Sequence, residues 1–286
     1  MTKRTLYVES QNLKALKTLV ETYEELAAMK MQRVRKDVMS SRQFADGLAS
    51  VLVEVESNYR GILAKEKKAQ SEMYYTTINR NGKSVAVFLA SDQGLYGDIV
   101  YRIYDKFIDF VQKNETDIVV LGKLGAKIVS QRNPDLLYNF YDFADDSIHH
   151  KSLSAVMRYL LQFEKIFVFS GKMESLVSQV PTVTNISGEK VDLSTWQKQK
   201  ITWYLFEPSL EKMLSVFEGE ILASVFEQSI HESQLAKFAS RLINLDRSVE
   251  SIDDKLKGVS IQRRRLAHKL GNKKQLSALA GISLWQ

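Results

Sequence analysis

The sequence contains no cysteine, which excludes disulfides and thiolate metal sites and is compatible with a reducing compartment. It has only three prolines, Pro134, Pro181 and Pro208, all in the middle of the chain or at its exit. Proline breaks a helix interior by removing a donor and clashing with the preceding turn, so both ends of the chain are free of that interruption. No stretch approaches the roughly 18 uncharged apolar residues that a membrane span needs. The opening residues, MTKRTLYVESQNLKALK, lack the apolar core of a signal peptide. The expectation is a chain that is soluble or peripheral to a membrane. Histidines number four, and the adjacent His149 and His150 would point to different faces of a helix, which makes a poor metal pair. No serine lies in a G-x-S-x-G turn, and Asp142, Asp145 and Asp146 cluster without an evident catalytic partner. Autonomous catalysis and a bound cofactor are therefore not expected.

What is present is a pair of long apolar seams. On the first side they fall at Leu13, Leu16, Val20, Tyr23, Ala27, Val34, Val38, Ala45, Leu48, Leu52, Val55, Tyr59 and Ile62. On the second they fall at Leu235, Phe238, Leu242, Leu245, Val249, Ile252, Leu256, Val259, Leu266 and Leu270. Steps alternating between three and four are the period of a seam buried along a rod. Neither helix can hide its seam alone, so the two are expected to pack on each other. A helix over about 60 residues would run roughly 90 Å. Lys30 and Ser41 interrupt the first seam, and such breaks fix register or loosen packing locally.

The charge is uneven. From Lys255 onward there is no acidic residue, yet the segment carries Lys255, Lys257, Arg263, Arg264, Arg265, Lys269, Lys273 and Lys274. A solvated basic face is the plain reading, and a docking surface for acidic protein loops or phosphates is the sharper one. After Lys274 comes QLSALAGISLWQ, which is uncharged and holds Leu276, Leu279, Ile282, Leu284 and Trp285. Such an end calls for an apolar partner. Nucleic-acid binding is disfavoured, because the basic run has no interleaved aromatics.

The middle changes period. SVAVFLA (Ser84 to Ala90), DIVVLG (Asp117 to Gly122), LLYNFYDF (Leu136 to Phe143) and KIFVFSG (Lys165 to Gly171) read as strands. Helical patterns follow the first three: one through Ile99, Ile103, Phe107 and Phe110, a short one in LGAKIVSQ, and one from Ser152 to Phe163. This alternation predicts a mostly parallel sheet covered on both faces. SLVSQVPTVTNI and TWYLFEP are further extended pieces, and Pro208 signals the start of the second long helix. The glycines of SDQGLYGD fit neither standard phosphate-binding pattern, so a tight strand-to-helix turn is expected, with Asp92 satisfying turn amides. The expected organisation is an α/β fold in three parts: an N-terminal coiled-coil helix over 1–70, a Rossmann-like α/β domain over 71–203, and a C-terminal coiled-coil helix over 204–286.

Four stretches, in order, resemble the gamma subunit of F-type ATP synthases. These are AAMKM (Ala27 to Met31) with Arg33, Arg35 and Lys36; VAVFLASDQGLYGD; SQVPTVTNI; and YLFEPS (Tyr204 to Ser209). The motif positions are Ser91, Asp92, Gly94, Leu95, Gly97, Glu207 and Pro208. The resemblance implies an antiparallel coiled coil of the terminal helices inside a hexameric ring of alpha and beta subunits. It implies further contacts to an epsilon subunit and a membrane rotor ring, at the cytoplasmic face of a cell membrane. Met29, Lys30, Arg33, Arg35, Arg263, Arg264, Arg265, Lys269, Leu279, Ile282 and Trp285 would be the partner-contact residues. ATP chemistry would belong to the beta subunits, and this chain would carry torque. Alternatives are the shaft of a specialised paralogous motor or a non-rotating coiled-coil scaffold. The sequence departs from the family at Asp98, which replaces a second glycine, and at Leu266, Gly271 and Lys273, which replace polar residues. The helix after AAMKM is also shorter by one to two turns. The cysteine pair of redox-controlled chloroplast forms is absent.

Overall fold

The computed structural model describes residues 2–65, 80–145, 150–187 and 210–283. Its elements in chain order are α1 (Lys3–Lys65), β1 (Ser84–Leu89), α2 (Ile99–Val111), β2 (Asp117–Leu121), α3 (Lys123–Arg132), β3 (Asn139–Tyr141), α4 (His150–Leu160), β4 (Lys165–Met173), β5 (Gln179–Asn185) and α5 (Leu210–Ser283). Contacts divide the chain into two units: Met1–Met29 with Arg241–Gln286, and Lys30–Ser240. The expected start of the second long helix at Pro208 lies outside the described residues.

In the first unit, the start of α1 packs antiparallel on the later part of α5. Lys17 Nζ donates to Asp253 Oδ1 and Oδ2 at 2.7 Å. Seven residues on, Glu24 lies within electrostatic reach of Asp246, seven residues back. The buried apolar residues are Leu6 and Ala27 from α1 and Leu245, Ile252 and Val259 from α5, the last three at steps of seven. That spacing is what two wound helices require of a shared seam. The seam differs from expectation at three places. Leu16, Tyr23 and Leu270 are exposed, at 48%, 46% and 43%. Lys17 and Glu24 take the half-buried places beside Leu13, Val20 and Ala27. The sequence offers two stripes one residue apart, and the row holding Lys17 and Glu24 is the one that continues into Met31, Val38 and Ala45. With Lys17 turned to Asp253, Leu16, Leu19, Tyr23 and Leu26 are left outside.

The second unit is built on a five-stranded sheet in the order β3-β2-β1-β4-β5, parallel except for β5. Its strands are nearly continuous apolar runs, as a sheet covered on both faces demands. On one face Ala86, Phe88 and Phe169 pack against Ile103 and Phe107 of α2 and Ile128 of α3. Val34 and Val38 of α1 and Leu235 and Phe238 of α5 complete that cluster. Phe88 stacks on Phe107 at 5.3 Å, and Phe107 meets Phe169 edge-on at 5.4 Å. On the other face Val85, Val87 and Leu89 pack against Val156 and Leu160 of α4 and Leu222, Phe226 and Ile230 of α5. The third run is shorter than expected. Only three residues pair with β2, and Leu137 stands 90% exposed, because the turn after Pro134 delivers the chain to the edge late.

The breaks in the first seam have local solutions. The Lys30 ammonium lies 5.9 Å from the centre of the Phe238 ring, and the Ser41 hydroxyl donates to the Val38 carbonyl.

Candidate functional site: the strand-end loop and the basic helix

The connections β1–α2–β2 and β2–α3–β3 run to one side of β1, and α4 then returns the chain to β4 on its other side. The carboxyl ends of β1 and β4 therefore flank a topological switch point, the place where open α/β sheets form a ligand crevice. Here α5 crosses that place itself. Ile230 belongs to one face of the sheet and Leu235 to the other, and the residues between and just after them sit on the strand ends. Gly171 closes β4 so tightly on α5 that an added Cβ would lie 3.2 Å from the Ala236 Cβ. The Gly171 amide donates to Ser233 Oγ at 3.4 Å.

Lys237 is the unusual side chain. It is 4% exposed, its Nζ donates to the Ala90 carbonyl at 2.7 Å, and it pairs with Asp145 Oδ1 at 3.3 Å. Asp145 is also buried, and its second oxygen accepts the amides of Asp92 and Gln93, each at 2.8 Å. Ser240 Oγ donates to the Tyr96 carbonyl at 2.7 Å. The loop from Ser91 to Gly97 is thus tied to α5 at both of its ends. Buried charges need such partners, because desolvation otherwise costs several kcal/mol per ion by about the same margin as pairing returns.

Ser91, Asp92, Gly94, Leu95 and Gly97 of the motif make up this loop. Ser91 is fully buried, and Asp92 Oδ1 accepts the backbone amide of Lys123, satisfying a donor at the start of α3. Asp92 therefore serves an amide at the start of α3 rather than its own turn, and Asp145, from the segment after β3, accepts the turn amides of Asp92 and Gln93. Asp142 first, and then Asp92, hold the Lys123 ammonium above the usual lysine value. Gly97 has φ 62°, and Leu95 adopts φ 68° while 61% exposed, a left-handed conformation that a bulky residue takes only when its surroundings impose it. Gly94 is exposed beside them.

Sequence reasoning noted Asp145 only as one of a cluster without an evident catalytic partner, and it missed Lys237, Ser233 and Ser240. The available signal was a lone lysine inside the small and apolar stretch QLAKFAS, where a solvent-facing helix would carry more charge.

The residues expected to contact partners are distributed differently. Met29 is 67% exposed, Arg33 and Arg35 are exposed, and Lys30 is half-buried. Arg263, Arg264, Arg265 and Lys269 are all exposed on α5, as is Leu279 at 64%. Consecutive helical residues point about 100° apart, so three arginines in a row put positive charge around most of the circumference. Among the described residues, every position of α5 from 260 to 279 except Leu266 is exposed. Ile282 belongs to α5 without a described side chain, and Trp285, Glu207 and Pro208 lie outside the described residues.

The fold is a Rossmann-like α/β sheet whose strand-end crevice is filled by the chain's own long helix. The sequence profile of the ATP synthase family matches residues 6–268, and the chain belongs to that family as a gamma subunit. It is 20% identical over 292 residues to the ATP synthase gamma chain of Halothermothrix orenii, covering 98% of this chain and 97% of that one. It is 22% identical over 262 residues to the gamma chain of Staphylococcus aureus, covering 85% and 86%. Among solved structures, its fold is similar to a chain of the Tetrahymena thermophila mitochondrial ATP synthase central stalk and c-ring. The TM-score is 0.55 at 16% identity, covering 80% of this chain and 99% of that one. A chain of the Euglena gracilis mitochondrial ATP synthase is similar with a TM-score of 0.51 at 10% identity, covering 90% and 94%.

Proposed function

We propose that this chain is the central rotor shaft of an F-type ATP synthase or ATPase, carrying torque between a catalytic alpha/beta ring and a membrane rotor ring. The observation that carries this reading is the exposed length of α5 from 260 to 279. It bears Arg263, Arg264, Arg265 and Lys269 on several sides, then Leu276 and Leu279 exposed at 67% and 64%. A helix charged around most of its girth, with an exposed apolar pair at i and i+3 beyond the charge, suits a partner that encloses the charged stretch and buries that pair. Burying each leucine in such a sleeve would contribute about 1.5–3 kcal/mol. Basic charge along the same helix complements acidic loops of the surrounding subunits. Met29, Lys30, Arg33 and Arg35 would meet the ring from α1.

Two further features support the reading. The switch-point crevice, where an α/β domain of this type would hold a nucleotide, is occupied by Ser233, Ala236 and Lys237, which fits a non-catalytic subunit whose ring partners carry the ATP chemistry. None of the described helices is long and apolar enough to cross a membrane, which suits peripheral attachment at the cytoplasmic face through an epsilon subunit and the rotor ring. In this reading the long helices α1 and α5 act as the shaft. The test is isolation of the native complex. The chain is expected at one copy per three alpha and three beta subunits, with ATP-driven rotation of a bead fixed to it. A one-to-one complex with an unrelated protein, or ATP hydrolysis without rotation, would overturn the reading.

A further inference from the structure

The geometry points to Lys237 as a positioning residue: its ammonium, held between the Ala90 carbonyl and Asp145, fastens the Ser91–Gly97 loop to α5 so that sheet and helix turn as one body. The inference rests on the rotor reading and adds to it the place where twist passes from helix to sheet. Ser233, Lys237 and Ser240 fall four and three residues apart, one face of a helix. Each binds backbone of the sheet or its loop: Gly171 within β4, Ala90 just after β1, and Tyr96 in the loop. The apolar contacts of Phe226, Ile230, Leu235 and Phe238 hold α5 on the sheet, but hydrophobic contact is non-directional and resists sliding or rolling poorly. Hydrogen bonds are directional and lose strength steeply when bent. Three of them on one face therefore fix both the rotation of α5 about its axis and its position along the sheet edge.

Lysine is otherwise among the side chains least often buried, and a methionine would fill the same volume without desolvating a charge. What the lysine adds is a chain of bonds, from the helix through Asp145 to the amides of Asp92 and Gln93. The same chain holds the loop in the shape that leaves Leu95 at φ 68°.

The test uses the assembled complex. The chain has no cysteine, so a Lys113→Cys substitution at the exposed end of α2 gives a unique attachment point for a bead. The angular spread of that bead is recorded with the ring stalled, and amide exchange is measured across residues 91–97. Lys237→Met is expected to broaden the spread and to speed exchange at Asp92 and Gln93 by about tenfold or more, the factor that weakening a charge-assisted hydrogen bond implies. The double variant Lys237→Met with Asp145→Leu leaves no orphaned charge, and it keeps the test available where the single variant fails to assemble. It is expected to broaden the spread as well. Unchanged spread and exchange in either assembled variant, or full recovery in the double variant, would overturn the inference. A parent complex carrying only Lys113→Cys that hydrolyses ATP without turning would instead overturn the rotor reading.

Discussion

Gly122 is the position where one added methyl group tests the construction of the strand-end loop. It follows β2 at φ 93° and ψ 144°, a region open to glycine and closed to side chains. A Cβ built there lies 2.7 Å from both the Ser91 carbonyl carbon and its oxygen, and backbone cannot swing aside as a flexible side chain would. Alanine at such a φ costs about 1–3 kcal/mol in backbone strain. Relieving the clash separates the loop from the start of α3, and two hydrogen bonds cross that gap. They are Leu124 N to Ser91 O at 2.8 Å and Lys123 N to Asp92 Oδ1 at 2.9 Å. Each contributes about 1 kcal/mol, so Gly122→Ala should lose about 3–5 kcal/mol in all. Gly258→Ala is the counterpart: it lies inside α5, a Cβ there meets nothing within 4 Å, and it should gain about 0.5–1 kcal/mol from helix propensity. Urea unfolding followed by near-ultraviolet circular dichroism, which reports the packed tyrosines and phenylalanines of the α/β unit, measures the first, and far-ultraviolet circular dichroism, which reports the helices, measures the second. A Gly122→Ala loss below about 1 kcal/mol would refute the argument from the Ser91 contact.

Replacing Arg263, Arg264 and Arg265 together by alanine should weaken association with the alpha/beta ring, and weaken its salt dependence. The three side chains are exposed, so thermal stability should move by only about 0.5 kcal/mol. Ring binding by light scattering across salt concentrations, beside a melting curve, separates the two effects. Asp92→Ala should destabilise the α/β unit by about 1 kcal/mol, the usual effect of losing an acceptor at a helix N-terminus, here the one serving Lys123. Glu24 has its pKa raised above 4.5 by burial and then by Asp246, Glu21 and Glu25. A raised carboxyl contributes stability at low pH that is lost as pH rises through the folded value. Glu24→Gln should therefore raise the melting temperature at pH 7, with the advantage disappearing below about pH 4.5. An equal effect at both pH values would show that Glu24 is solvated.

The layout of helix, parallel sheet and helix was legible because each element carries its own period: threes and fours in Leu235 to Val259, unbroken apolar runs in Val85 to Leu89. Family membership was legible for a similar reason, since the turn from Ser91 to Gly97 demands particular residues locally. Which of two neighbouring stripes on α1 faces inward was not legible. Leu16 and Tyr23 are better seam residues by composition than Lys17 and Glu24, and only the pairing with Asp253 and the run on to Met31 and Val38 decides between them. Lys237 was illegible for a deeper reason. Its partners are a carbonyl 147 residues away and a carboxylate 92 residues away. No local pattern encodes contacts of that range. The sequence by itself determined the elements, the basic helix end and the family, because periodicity, charge and turn chemistry are local properties. Only the tertiary structure decided that α5 fills the crevice at the ends of β1 and β4, because a buried charge is tolerated only where folding delivers its partners.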